Sequence, residues 1–279
     1  MSILSGLSNL GLGDLEDLKV YDDNNIKGKV SPEEKEKTVD EIDFLLAKEY
    51  ECPVCNAKFK QMVLRSNKAR MIGQDMDLCP HYNYIDVTKY DVIMCPHCGY
   101  AALLRYFGPL PKPHRELIKT NISSKFKETE EPKGIISYEE ALVRYKIALV
   151  NAIVRQAKNS EKAYICLKTS WVLRGMREMI DQNTPENEKK KAELLLQEKE
   201  YQKNAMEGFI AARGNELPPI AGMNEVAADY LIAVLLVQFE RYADAAKLVQ
   251  GVLGSNKATA NQKDKARVLI GEIKNALSK

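Results

Sequence analysis

The chain has 279 residues, 45% hydrophobic and 29% charged, with 15 glycines and 11 prolines, a balance that excludes collagen-like, mucin-like and wholly disordered proteins. The length suits one large globular domain or two modest ones. Lys+Arg 41 against Asp+Glu 39 leaves a formal charge of +2, too little for net charge to drive binding to nucleic acid or an anionic membrane, so any basic surface has to be local.

Residues 1–47 carry eleven carboxylates against five lysines and read as an acidic arm. Within it Ser31-Pro32-Glu33-Glu34 combines a capping hydroxyl, a first-turn proline and an early carboxylate, predicting a short helix running toward Leu46. Residues 48–107 hold strand-like runs at Lys48–Cys52, Lys58–Leu64 and Tyr90–Cys95 around five of the six cysteines, and predict a small zinc-ribbon-like β module. A connector, 108–136, includes a helix starting near Pro113. From 137 to 279 apolar residues recur every three to four positions, predicting helices near 138–158, 161–181, 185–213, 224–239, 241–253 and 257–277. Ser137-x-x-Glu140 forms a capping box, Thr184-Pro185 supplies a cap and a first-turn proline, and Ser160 and Ser255 are candidate caps. The fold class expected is therefore mainly α, a helical-hairpin array preceded by a small β module.

The thiols carry the strongest chemical signal. Cys52-Pro-Val-Cys55 and Cys95-Pro-His-Cys98-Gly99 are two C-x2-C knuckles, and two such turns at the tips of adjacent hairpins place four sulfurs on one ion. Gly99 can take the left-handed backbone that turns N–H groups toward sulfur, and Asn56, its counterpart in the first knuckle, is the next most tolerant residue. One zinc per chain is the expected cofactor, with iron the alternative ion for four thiolates. Paired thiols used this way belong in a reducing compartment. The longest apolar run, Leu231 to Val237, falls far short of the roughly 20 residues of a membrane span, and no basic flank with an apolar signal core opens the chain. The expected location is the cytoplasm, with no membrane partner.

Cys79-Pro80-His81 lies between the knuckles. Its thiol and imidazole form either an extra ligand or reactive pair, or a turn with a free thiol, since four cysteines already fill the metal shell. Lys58, Lys60, Arg65, Lys68 and Arg70 follow the first knuckle without an intervening carboxylate. With Tyr82, Tyr84, Tyr90 and Tyr100 they offer phosphate contacts and stacking platforms for single-stranded nucleic acid, or simply a guarded strand edge and a tyrosine core. His97 is expected to face solvent and Cys166 to be a packed small side chain.

Tyr230 to Val252, through Glu240-Arg241-Tyr242-Ala243, resembles a tetratricopeptide repeat in which Glu240 replaces the usual turn glycine and the Trp-Leu-Gly signature is missing. The wider run of E-C-P-V-C-N-A-K-F, R-S-N-K-A-R, D-x-D before Cys79, Y-D-V-I-M-C-P-H-C-G-Y-A-A, N-I-S-S-K-F and A-L-V-R-Y-K-I-A-L resembles a bacterial family catalogued as domain of unknown function 2225. That resemblance implies a bacterial cytosolic protein with knuckles at Cys52, Cys55, Cys95 and Cys98, and implies no reaction. Phosphate loops, H-E-x-x-H and G-x-S-x-G elbows are missing from the sequence, which leaves catalysis behind two binding functions. The expectation is a non-catalytic zinc-binding scaffold whose helical array takes a protein or peptide partner. RNA or DNA binding by the basic module is the alternative.

Overall fold

The computed structural model describes residues 40–131, 133–181 and 184–278. Among them the chain forms three two-stranded antiparallel sheets and then seven α-helices. The sheets are β1 (Leu45–Glu51) with β2 (Lys58–Leu64), β3 (Met71–Gln74) with β4 (Pro80–Tyr82), and β5 (Val92–Met94) with β6 (Ala101–Leu103). The helices are α1 (Lys112–Ile118), α2 (Tyr138–Val154), α3 (Asn159–Glu178), α4 (Pro185–Asn215), α5 (Glu225–Gln238), α6 (Tyr242–Gly254) and α7 (Ala260–Leu277). Among the described residues no helix is long and apolar enough to cross a membrane.

The helix starts follow local chemistry. Ser137 and Glu140 close the predicted capping box at α2, Thr184 caps α4 ahead of Pro185, Asn224 caps α5, and Thr259 with Gln262 forms a second box at α7. Neither Ser160 nor Ser255 caps the start of a helix, since Lys158 and Thr259 hold those positions at α3 and α7. The Ser160 hydroxyl instead donates to the Glu216 carboxylate at 2.5 Å, and Ser255 terminates α6. The helix expected toward Leu46 lies outside the described residues up to position 39. Beyond that the chain makes a single 3-10 turn, Glu41–Phe44, and Leu45 opens β1. Phe44 and Leu45 are drawn inward, into a small core with Ile85, Tyr90 and Ile136, and that burial outweighs the local helix signal.

Successive helices are spatial neighbours from α2 to α7, and α5 also touches α7. Helix α5 is buried nearly all round, from Val226 to Leu236, and anchors the largest core, which joins α3, α4, α6 and α7. The 31-residue α4 carries twelve charged residues but buries one stripe, Leu194, Glu198, Gln202, Ala205, Phe209 and Ala212, against its neighbours. Gly208 lets it approach α3: a Cβ there would sit 2.9 Å from the Ala163 Cβ. The strands do not stand apart from the helices, because Val92, Ala101 and Leu103 share a core with Tyr145, Ala148 and Ala152 of α2. The buried Gln61 amide ties two sheets together. It donates to the Val92 carbonyl at 2.7 Å and accepts from the Met94 N–H at 3.0 Å, occupying the free edge of β5 much as a neighbouring strand would.

Candidate metal centre

Each knuckle is the tip of a hairpin, and the two tips share one backbone design. In the β1–β2 turn the Cys52 N–H donates to the Ala57 carbonyl at 2.9 Å and the Cys52 carbonyl accepts from Asn56 at 2.9 Å. In the β5–β6 turn Cys95 donates to Tyr100 at 2.8 Å and accepts from Gly99 at 3.1 Å. Asn56 and Gly99 take φ of 62° and 72°, the left-handed region that asparagine and glycine tolerate best. At Gly99 the space is also filled, since a Cβ would lie 2.4 Å from the Phe126 ring.

The four sulfurs converge. Cys52 and Cys98 are 3.5 Å apart, Cys55 and Cys95 are 3.7 Å apart, and all four Sγ atoms lie within 4.8 Å of one another. A tetrahedron with metal–sulfur bonds of about 2.3 Å has edges of about 3.8 Å, so the sulfurs lie within about 1 Å of the spacing a four-coordinate ion needs. All four are free thiols, with Cys55 exposed and the others buried. Hydrogen bonding among them splits their acidities: Cys52 is pushed up, first by its bond to Cys95, while Cys95 is drawn down by bonds from Cys52 and Cys98. One thiolate is favoured and further ionisation is resisted, a conflict that a bound cation removes. Around the cluster, Asn151 of α2 donates to the Gly99 carbonyl at 3.0 Å, and Thr129 donates to the Pro96 carbonyl at 3.1 Å. His97 is exposed, as expected, and pairs with Glu128.

Cys79 and His81 lie outside this cluster. Cys79 is buried just before β4, and burial pushes its thiol up. His81 is bonded to Asp75 at 2.6 Å. Both belong to a charged cross-tie that the sequence reading missed: Arg174 of α3 contacts Asp77 at 2.6 Å, Asp75 at 2.8 Å and Glu198 of α4 at 2.9 Å, while Trp171 donates to Asp77 at 3.2 Å. The D-x-D pair is the only local trace of it, and nothing near that pair points to an arginine almost 100 positions away. The basic run divides. All five residues are exposed, but Arg65 donates to the Leu45 carbonyl and Lys68 to the Asp43 carbonyl, each at 2.7 Å, whereas the side chains of Lys58, Lys60 and Arg70 have no hydrogen-bond partner among the described residues. Tyr90 and Tyr100 are core residues, Tyr82 is half-buried, and Tyr84 is exposed. Cys166 is packed, and burial raises it to about 12.

A family model described as an uncharacterised protein conserved in bacteria, domain of unknown function 2225, matches residues 45–273. The chain belongs to this family. The match takes in both knuckles and six complete helices, α1 to α6, with most of α7. No curated protein and no solved structure matches the chain.

A second feature of this domain-2225 chain is an open groove of about 670 Å³ formed by α2, α3 and α4. Its floor is small and apolar, with Ala163, Cys166, Gly208 and Tyr201. Lys146 and Lys162 stand on the α2 and α3 side and Glu200 and Glu207 on α4. None of these four charges has an ion-pair partner among the described residues.

Proposed function

We propose that the chain is a non-catalytic, zinc-stabilised scaffold that takes a peptide segment of a protein partner into the groove of α2, α3 and α4. The observation carrying this reading is the groove itself: an apolar floor between walls of opposite, unsatisfied charge. Apolar burial supplies affinity there, and the sign difference between the walls fixes the direction in which a segment lies. Zinc rather than iron is the ion proposed for the four cysteines, which would form a zinc-ribbon-like centre in a reducing cytoplasm.

Tetratricopeptide-like packing of the helices is supported by two equivalent turns. After α2, Gln156 has φ 56° and Ala157 donates back to Ala152 at 2.8 Å; after α5, Glu240 has φ 58° and Arg241 donates back to Leu236 at 2.9 Å. Both are left-handed helix ends closed by the same long-range bond, and Glu240 stands where the repeat pattern calls for glycine.

Four thiolates complete a tetrahedral shell and leave no position for a reacting water. The Cys79 thiol is shifted in the direction opposite to that of an activated nucleophile. Nucleic-acid binding by the basic run is the weaker reading, because Arg65 and Lys68 are spent on backbone carbonyls and two of the four tyrosines are buried.

The test is affinity capture from a bacterial lysate with a photo-crosslinker at Asn204, comparing the parent with Lys162→Glu and Glu207→Lys. A protein crosslinked after nuclease treatment and lost in both variants supports the reading. Recovery of nucleic acid alone, or a crosslink unchanged by both reversals, refutes it.

A further inference from the structure

The register of β1 and β2 decides which backbone groups are left open. Cys52 donates to Ala57 and Arg65 to Phe44, so in this ladder the hydrogen-bonded pairs are 46 with 63, 48 with 61 and 50 with 59. Lys58, Lys60 and Met62 fall between them and turn their N–H and C=O groups away from β1. None of these outward groups has a partner among the described residues. The comparable edge of β5 is covered by the Gln61 amide; among the described residues nothing covers the β2 edge in that way.

That edge faces a trench of about 570 Å³, with Lys58 to Met62 on one side and Pro96, His97 and Thr129 on the other. Inside the trench Glu131 is paired with Arg144 and His97 with Glu128, which leaves Lys58, Lys60 and Lys133 as its charges without an ion-pair partner among the described residues. Glu51 and Glu49 stand opposite Lys58 and Lys60 on β1 but form no ion pair with them.

We infer that the open edge of β2 is a strand-addition site for an extended, acidic segment of a partner protein, separate from the helical groove. From Lys58 to Met62 the edge spans about 14 Å at roughly 3.4 Å per residue, room for a segment of about five residues. Such a segment satisfies the alternating donors and acceptors of Lys60 and Met62 while its acidic side chains meet the three lysines. A nucleic-acid backbone fits less well, since phosphates offer acceptors to the N–H groups and no donors to the carbonyls. A second copy fits less well too: antiparallel pairing of two β2 edges about Lys60 sets lysine against lysine.

The experiment uses the full, metal-loaded chain and a capped, dye-labelled heptapeptide alternating glutamate with valine, read by anisotropy at 50 and 200 mM salt. The expected result is saturable binding that weakens with salt. It should fall at least tenfold when the peptide's edge amides are N-methylated, and at least tenfold in both Lys60→Pro and Lys58→Glu/Lys60→Glu. Proline is tolerated at an outward edge position and removes one donor; metal content and melting temperature report whether each variant is folded. The N-methylated peptide keeps the test valid if a variant fails to fold. No binding to the parent, equal binding of the N-methylated peptide, displacement by an oligothymidylate, or a dimer of the chain abolished by the same variants would each overturn the inference.

Discussion

Removing the metal should melt one hairpin and spare the helices. Without an ion, β1–β2 is held to the rest of the chain chiefly by Leu45 in the core with Ile85, Tyr90 and Ile136, by Val54, Phe59 and Val63 in the core beneath the knuckles and by the two Gln61 hydrogen bonds. Burying those four side chains contributes about 2 kcal/mol each, and the hydrogen bonds about 1 kcal/mol each. A structural four-thiolate zinc would contribute about 10–16 kcal/mol, so the ion contributes at least as much as these contacts together. The β5–β6 pair differs, because Val92, Ala101 and Leu103 also pack on α2. Hydrogen exchange read by mass spectrometry, before and after chelation verified by metal analysis, should show peptides across residues 45–64 losing protection. Peptides from α3 to α7 should keep theirs, and β5–β6 should fall between. Unchanged protection at 45–64 in demonstrably metal-free protein would refute the reasoning.

Three further outcomes are expected. Glu240→Gly relieves a left-handed non-glycine residue and should raise stability by about 0.5–1 kcal/mol in urea unfolding. Arg174→Met leaves Asp77 buried without its cation, while Glu198 keeps Arg177, and should cost about 3–5 kcal/mol; pairing it with Asp77→Asn should recover part of that loss, and strictly additive losses would count against the cross-tie. Burial pushes the Glu131 carboxyl from 4.5 to about 7, with Arg144 only partly opposing. The folded state then binds a proton that the unfolded state has released, so stability is greatest below about 4.5 and declines as pH rises through about 7, by at most about 3 kcal/mol. Comparing urea midpoints at pH 5.5 and 7.5, Glu131→Gln should remove that slope.

The features legible in the sequence are those carried by neighbouring residues. Cys52 and Cys55, or Cys95, Cys98 and Gly99, lie within one turn, so spacing alone gives their geometry. Ser137 with Glu140 and Thr184 with Pro185 mark helix starts for the same reason. Strands β3, β4 and β6 went unseen because runs of four, three and three residues are too short to show a period. Ser160 was misread as a cap because Glu216, which takes its hydroxyl, is 56 positions away. The same distance problem hides the Arg174 cross-tie and the splitting of the basic run: an arginine aimed at a carbonyl and one aimed at solvent look alike in one dimension.

Helix α2 serves two masters. Asn151 grips the Gly99 carbonyl at the sulfur cluster, while Lys146, Leu149 and Ile153, within five positions of it, line the helical groove. A helix behaves as a stiff rod over so short a span, so a displacement of the Gly99 loop is handed to the groove wall undiminished. Linkage makes any coupling between the proposed ion and the proposed guest reciprocal: whatever factor the ion adds to the grip on the guest, the guest returns to the ion.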